Sequence, residues 1–298
     1  MKKVELPAYF STLTRGKATL YIKKEYEHRL SAEDIDMLFN LHKDTDKLKV
    51  SYHGRTPCKI LILESLNNES FVVREYWHGG LFGKILRDIF WDSLRPLREL
   101  SICEAAGKSG IKTSEVIAIV KNRILGPVYK CRLVSKEITG AIDLMELLFN
   151  PEENKLVERK RQIINKTARA VKEMHDAGIY HADLHLKNIL VQSAAGGKDN
   201  VYIIDLDKSR QYEKINFHQR VKNIMRLDRS VEKMIRNNKD VFGQRFPFPI
   251  SKTDKFRFLA EYIKTDNKSE RPLRYYLQSY KTSHNLHRFW WSVGGFGK

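Results

Sequence analysis

Short apolar runs punctuated by polar residues fill the first half of the chain, and longer stretches of helical period fill the second. Residues 59–64 (KILILE), 70–77 (SFVVREYW), 115–120 (EVIAIV) and 127–134 (PVYKCRLV) are rich in β-branched and aromatic side chains. They are too short for buried helices, so they predict strands. A helical period interrupts them once, around residues 93–106. After Gly140 the period lengthens: residues 142–149 (IDLMELLF) predict a helix, and residues 154–177 predict a longer one. In that second helix Leu156, Ile163, Ile164, Ala168, Val171 and Met174 share one face, and Gly178 closes it. The change of period falls in LVSKEITGA, residues 133–141, the expected hinge. The fold class expected is α+β: an antiparallel-sheet lobe with one main helix over residues 1–136, then a helical lobe over residues 137–298.

Composition narrows the partners. A chain of 298 residues buries roughly 75% of its unfolded surface, and 42% hydrophobic with 30% charged residues describes a globular protein. Lys and Arg outnumber Asp and Glu by 54 to 36, for a net charge of +18. That balance attracts polyanions: nucleic acid, acidic lipid or phosphorylated sugar. Cys58, Cys103 and Cys131 are odd in number, widely spaced and form no CxxC, so neither a disulfide framework nor a zinc site is indicated, and a reducing cytoplasm fits best. The N-terminal MKKVELPAYF has no apolar export core, and no apolar run approaches the ~20 residues of a membrane span. Membrane contact is therefore expected to be peripheral.

The chemistry is concentrated after the long helix, in IYHADLHLKNILVQSAAGGKDNVYIIDLD. His181, Asp183 and Asn188 match H-x-D-L-x-x-x-N, the spacing of a kinase catalytic loop, and Asp205 ends a second apolar strand. Two apolar runs flank the Gly-rich SAAGGKDN, residues 193–200, which suits a hairpin turn. Pairing symmetric about that segment sets Asn188 opposite Asp205, so that an amide oxygen and a carboxylate converge on one magnesium ion. Asp183 is placed to accept the proton of an acceptor hydroxyl, and His181 to buttress the loop.

The rest of a nucleotide site is read by position. Arg74 lies on a strand where protein kinases carry a phosphate-gripping Lys, and Glu99 lies on the following helix where its pairing Glu stands. An Arg fork binds phosphate bidentately, whereas Lys acts as a point charge. Gly54 is the one glycine in HGRTPCKI, where a phosphate-covering loop is expected, and a full G-x-G-x-x-G is absent. Backbone groups of residues 136–138, around Glu137, are expected to hold the adenine.

These segments together resemble the Kdo/WaaP family of lipopolysaccharide kinases. The resemblance is carried by VVREYWHGGL, LRPLRELSICEAAGKSGIKTSEVIAI, VYKCRLVSKEITGAIDLMELL, IYHADLHLKNIL and IIDLDKSR, over residues 54–236. The Arg74 strand with Gly79 and Gly80 is more similar to the Kdo kinase branch than to the heptose kinase branch. It implies a two-lobed protein-kinase-like fold and transfer of the ATP γ-phosphate to a sugar hydroxyl of the lipopolysaccharide inner core, on Kdo itself. It also implies work at the inner face of a bacterial inner membrane, on an anionic surface. Asp183 becomes the catalytic base, Asn188 and Asp205 the magnesium ligands, and Glu99 the partner of Arg74. Asp207 stands where protein kinases have the DFG glycine and His185 where they have the catalytic-loop lysine, which argues against a protein substrate. Nucleic acid is not the expected partner, and no obligate protein partner is evident.

Two further features bear on partners. At ~100° per residue Lys222, Arg226, Arg229, Lys233 and Arg236 form one cationic stripe, opposite Val221, Ile224, Val231, Met234 and Ile235. The stripe reads either as a solvated face or as a dock for core phosphates or anionic lipid. Phe289, Trp290 and Trp291 beside Arg288 read as helix packing or as an interfacial anchor. The catalytic loop is also similar to those of antibiotic phosphotransferases and tRNA-associated kinase-like proteins. A polyanion-binding pseudokinase is the non-enzymatic alternative.

Overall fold

The computed structural model describes residues 5–41, 49–51, 58–76, 88–91, 94–149, 157–194, 198–237, 250–264, 274–279 and 282. Gly54, Gly79, Gly80, Phe289, Trp290 and Trp291 lie outside the described residues. The chain divides into two compact units, Met1–Lys108 with Thr113–Thr139 and Asp205–Lys208, and Ser109–Lys112 with Gly140–Ile204 and Ser209–Lys298.

The first unit is built on a seven-stranded sheet in which every pair is antiparallel. Its strands are β1 (Phe10–Arg15), β2 (Ala18–Lys23), β3 (Lys49–Ser51), β4 (Cys58–Leu63), β5 (Glu69–Glu75), β6 (Val116–Leu125) and β7 (Val128–Lys136), in the order β1-β2-β6-β7-β5-β4-β3. The runs at 59–64, 70–77, 115–120 and 127–134 form β4 to β7. The sequence reading missed the β1–β2 hairpin, which turns at Gly16 with φ of 56°, and the helices α1 (Lys24–Glu27) and α2 (Ala32–Asn40). Ser31 caps α2, its hydroxyl accepting from the Asp34 N–H at 3.1 Å. Leu20, Ile22, Leu38, Leu61, Phe71, Ile117 and Val134 bury one face of the sheet. The period of two in β5 sends Phe71 and Val73 into that core and leaves Val72 and Arg74 on the other face. The interrupting helix, α3 (Arg95–Lys108), packs against β6 and β7 and buries Leu97, Leu100, Ile102 and Cys103 together with Glu99.

The second unit is mainly helical, with α4 (Leu144–Phe149), α5 (Val157–Asp176), α6 (Phe217–Asn237) and α7 (Lys252–Lys264). Its strands are β8 (Ala141–Asp143), β9 (Ile179–Tyr180), β10 (Ile189–Ala194), β11 (Lys198–Ile203) and β12 (Arg210–Gln211). Ile163, Ile164, Ala168, Val171 and Met174 of α5 are buried, as their spacing required. Among the described residues no helix is long and apolar enough to cross a membrane.

Gly178 ends α5 at φ of 77°, and its carbonyl accepts from the Tyr212 N–H at 2.8 Å. A Cβ there would lie 2.0 Å from the Tyr212 carbonyl oxygen. Gly178→Ala combines that clash with left-handed strain, so it is expected to cost more than about 1 kcal/mol, seen as a lower midpoint in urea unfolding.

The hairpin after the catalytic loop corrects the expected register. Ile189 pairs with Ile203, Leu190 with Tyr202 and Val191 with Val201, and the Ile204 N–H donates to the Asn188 carbonyl at 3.0 Å. Asn188 therefore faces Ile204, not Asp205. The strands run on to Ala194 and Lys198, so an odd-numbered turn replaces the even one assumed, and a one-residue slip moves every partner.

Candidate active site

In the first unit a guanidinium fork bridges two carboxylates. Arg74 Nη2 donates to Glu99 Oε1, and Arg74 Nη1 donates to Asp205 Oδ1. The residues expected to pair, on β5 and α3, do meet, and Asp205 joins them. Tyr76, just past the end of β5, donates its hydroxyl to Glu99 Oε2 at 2.7 Å, and the Arg74 guanidinium lies 5.2 Å from its ring centroid. Burial pushes the Glu99 carboxyl up, and Arg74 pulls it partly back. Burial alone would loosen the Arg74 proton, but Glu99, then Tyr76 and Asp205, hold the guanidinium firmly charged.

Sequence reasoning missed a second fork behind the first. Arg95, at the start of α3, donates from Nε to Asp207 Oδ1 at 2.9 Å and from Nη2 to Asp207 Oδ2. Its guanidinium also lies 5.0 Å from the Tyr76 ring and 4.7 Å from the Phe90 ring. Burial opposes ionisation of Asp207, but Arg95, helped by Arg74 and Lys208, holds its carboxyl below the usual carboxylate range. Asp205 and Lys208 both adopt φ of 58°, an unusual conformation outside glycine that is kept where the surroundings fix it. The Arg74 fork fixes Asp205 directly, and the Arg95 fork fixes Asp207, the neighbour of Lys208.

The fork explains why an arginine stands at position 74. Lys offers one point charge and cannot hold two carboxylates in a plane. Arg74→Lys is expected to lower kcat/KM for ATP by roughly 10- to 100-fold, the loss of one charge-assisted hydrogen bond, in steady-state kinetics.

Glu137 follows β7, half-buried. Its N–H donates to the Ser70 carbonyl at 3.0 Å, and the Lys136 N–H donates to the Glu115 carbonyl at 2.8 Å. Of the backbone groups expected to face adenine, these two N–H groups are already committed inside the unit.

In the second unit the catalytic loop is held from both ends by α6. Asn223 accepts from the His181 N–H at 3.0 Å and donates to the His181 carbonyl at 2.8 Å. Ser230 Oγ accepts from the Leu186 N–H at 3.2 Å. His181 is fully buried. Its Nδ1 accepts from the Asp183 N–H at 3.0 Å, so Nε2 carries the proton it shares with the Ile204 carbonyl at 3.0 Å. The ring is thus a strut, as its position implied. Ser209 Oγ accepts from the Ala182 N–H at 3.1 Å.

A buried chain of polar groups anchors α6 in turn. Asn223 Oδ1 lies 3.2 Å from His175 Nε2, and His175 Nδ1 lies 2.8 Å from the Tyr262 hydroxyl, which also accepts from Arg220 at 3.2 Å. Burial drives His175 down to about 3, so the imidazole stays neutral and can accept through Nδ1.

Within this frame Asp183 is the exception. Its side chain is exposed, with 67% of its surface accessible. His185 Nε2 lies 3.5 Å from Asp183 Oδ2. His185 above all, against the opposing effect of burial and with help from Arg226 and His181, holds the carboxyl below the usual aspartate range. Asn188 is buried, and its Nδ2 donates to the Asp183 carbonyl at 2.9 Å. That bond commits the NH2 end of the amide and turns Oδ1 away from it. Among the described residues no three His, Cys, Asp or Glu side chains cluster as a metal centre.

Comparison with known proteins identifies the family and the fold. Residues 59–262 match the model of the lipopolysaccharide kinase (Kdo/WaaP) family. A 3-deoxy-D-manno-octulosonic acid kinase of Vibrio parahaemolyticus is 32% identical over 197 residues, 64% of this chain and 75% of that protein. The protein of the same description from Vibrio cholerae is 31% identical over 167 residues, 55% of this chain and 66% of that one. A solved structure of WaaP in complex with acyl carrier protein superposes with a TM-score of 0.52 at 19% identity, covering 83% of this chain and 90% of that one. The antiparallel sheet of the first unit and the helices of the second follow the protein-kinase-like fold of that structure. With residues 59–262 inside the family model, and the H-x-D-L-x-x-x-N loop inside those residues, the chain belongs to the lipopolysaccharide kinase (Kdo/WaaP) family and shares its phosphotransferase chemistry.

Proposed function

We propose that this chain transfers the γ-phosphate of ATP to a hydroxyl of Kdo in the lipopolysaccharide inner core, with Asp183 as the catalytic base. The observation that carries the reading is the contrast within the loop. The loop backbone is tied down at His181, Ala182 and Leu186, while Asp183 keeps an exposed carboxylate that His185 holds ionised. An ionised, solvent-facing carboxylate on a rigid loop is what the removal of a hydroxyl proton needs.

The first unit acts as the nucleotide clamp and the second as the catalytic and acceptor-binding part. Arg74, pre-aligned by Glu99, grips the ATP phosphates. The Glu137 carbonyl and the Ile138 N–H meet the adenine edge. Asn188 and Asp205 would hold magnesium through an amide oxygen and a carboxylate oxygen, hard donors suited to that ion. The Asn188 amide, with its Nδ2 committed to the Asp183 carbonyl, fits this role. Support for the pair comes from the chain running from Ile204, opposite Asn188, straight into Asp205, not from direct cross-strand pairing. Magnesium, when bound, offsets negative charge on the phosphates.

Purified protein given labelled ATP, Kdo-lipid A, aminoglycosides and tRNA tests the assignment. Label is expected in the Kdo sugar alone, and transfer to another acceptor would overturn it.

An acceptor carried by lipid places the protein at the anionic inner face of the inner membrane, docked through the basic stripe of α6. Lys222 and Lys233 are exposed on that stripe. Reversing both to Glu is expected to raise the KM for vesicle-borne acceptor by about tenfold or more and to flatten its salt dependence. KM for a detergent-dispersed acceptor should change little.

A further inference from the structure

Arg226 occupies a position that its surroundings do not explain. The catalytic loop lies along α6, latched by Asn223 at His181 and by Ser230 at Leu186. Asp183 falls between these latches in the loop, and Arg226 falls between them in the helix. At about 100° per residue, Arg226 sits about 60° around the helix from Asn223 and about 40° from Ser230. It is thus the residue of the cationic stripe nearest the loop, and its charge reaches Asp183.

Its donors meet no protein partner among the described residues. Arg226 is half-buried and, among the described residues, makes no hydrogen bond or ion pair. The acidic residues that follow it on α6 are engaged elsewhere, Asp228 with Lys255 at 2.7 Å and Glu232 with Lys255 at 3.5 Å. Other members of the stripe, Lys222 and Arg229, carry the same sign. A guanidinium has five donors in a plane that matches a carboxylate or a phosphate. Half-buried and paired with no protein group among the described residues, they are open to an arriving anion.

We propose that Arg226 binds the carboxylate of the sugar-acid acceptor and so presents the neighbouring hydroxyl to Asp183. The proposal rests on the reading that this chain phosphorylates Kdo. A sugar acid carries one fixed anion on the same ring system as its hydroxyls, so a bidentate grip on the carboxylate sets both distance and orientation for the hydroxyl. Arg226 is in this sense a specificity-determining residue: it separates a sugar acid from a neutral sugar of similar shape.

The test compares wild type, Arg226→Ala and Arg226→Lys on a Kdo-lipid A acceptor and on its carboxyl methyl ester. On the free acid, Arg226→Ala is expected to raise the acceptor KM by roughly 10- to 100-fold, with the KM for ATP unchanged, and Arg226→Lys to recover part of that loss. On the ester, wild type should fall to the level of Arg226→Ala, and the alanine variant should lose nothing more. Equal penalties on acid and ester would show that Arg226 does not read the carboxylate and would overturn the inference. So would a raised KM for ATP, which assigns Arg226 to the nucleotide, or a lowered melting temperature with equal losses, which makes it structural. Absence of wild-type transfer to the free acid would instead overturn the acceptor assignment on which this inference stands.

Discussion

Asp183→Asn is expected to lower kcat by about 10²- to 10⁴-fold and to leave nucleotide affinity near that of the wild type. Asn keeps the shape of the side chain and loses its capacity to take a proton. The fold should not suffer, because the side chain is exposed and the loop is held through its backbone by Asn223, Ser230 and Ser209. ATP affinity should survive as well, since Arg74 and Glu99 belong to the other unit. The pH dependence carries a second signature. The wild-type carboxyl is held below the ordinary aspartate range, chiefly by His185, so it stays deprotonated to lower pH. The acid limb of kcat/KM therefore lies below the usual carboxylate position, and His185→Ala should move it upward. Single-turnover kinetics with equilibrium ATP binding separate the two quantities, and unchanged kcat in Asp183→Asn would remove Asp183 from the mechanism.

What could be read from the residues alone depended on how local the cause was. The four strands β4 to β7 declare themselves because β-branched runs of five or six residues satisfy neither helix length nor helix period. The long helix α5 declares itself by the spacing of Ile163, Ala168, Val171 and Met174. The β1–β2 hairpin was overlooked because FSTLTR and ATLYIK mix Thr and Ser with few large apolar residues, and only Leu20, Ile22 and Phe10 are deeply buried. Gly16 between the two runs was the available signal.

The catalytic loop was legible because its spacing is fixed within eight residues. The hairpin register was not, because it turns on whether the turn holds an odd or an even number of residues, and both readings leave apolar residues in both strands. The forks joining Arg74 to Asp205 and Arg95 to Asp207 span more than a hundred positions each, so no local pattern announces them. Asn223 and Ser230 had a faint signal: two small polar residues seven apart, two helical turns, close to an apolar face of α6. Such a pair on a packed face needs partners, and a backbone loop running beside the helix supplies them.

Asp205→Asn is expected to lower magnesium-dependent turnover by about 10²- to 10⁴-fold, more than the loss from Arg74→Lys. The estimate combines two charges' worth of interaction. Asp205 pairs with Arg74 in the first unit, and in the proposed function it also supplies a carboxylate to magnesium; charge-assisted contacts of this kind contribute about 1.5–3 kcal/mol each. Asn is the informative substitution because Asp205 sits at φ of 58°, a conformation that Asn tolerates better than most residues and Ala poorly. Backbone strain is thereby kept constant while the charge is removed. A purely structural role, as an anchor for Arg74, would lower the melting temperature and the affinity for ATP equally at all magnesium concentrations. A metal role instead shifts the magnesium dependence itself: half-maximal activity moves to higher magnesium, and ATP binding without magnesium is unaffected. Titrating magnesium against both activity and ATP binding distinguishes the two, and an unchanged magnesium midpoint in Asp205→Asn would assign Asp205 to Arg74 alone.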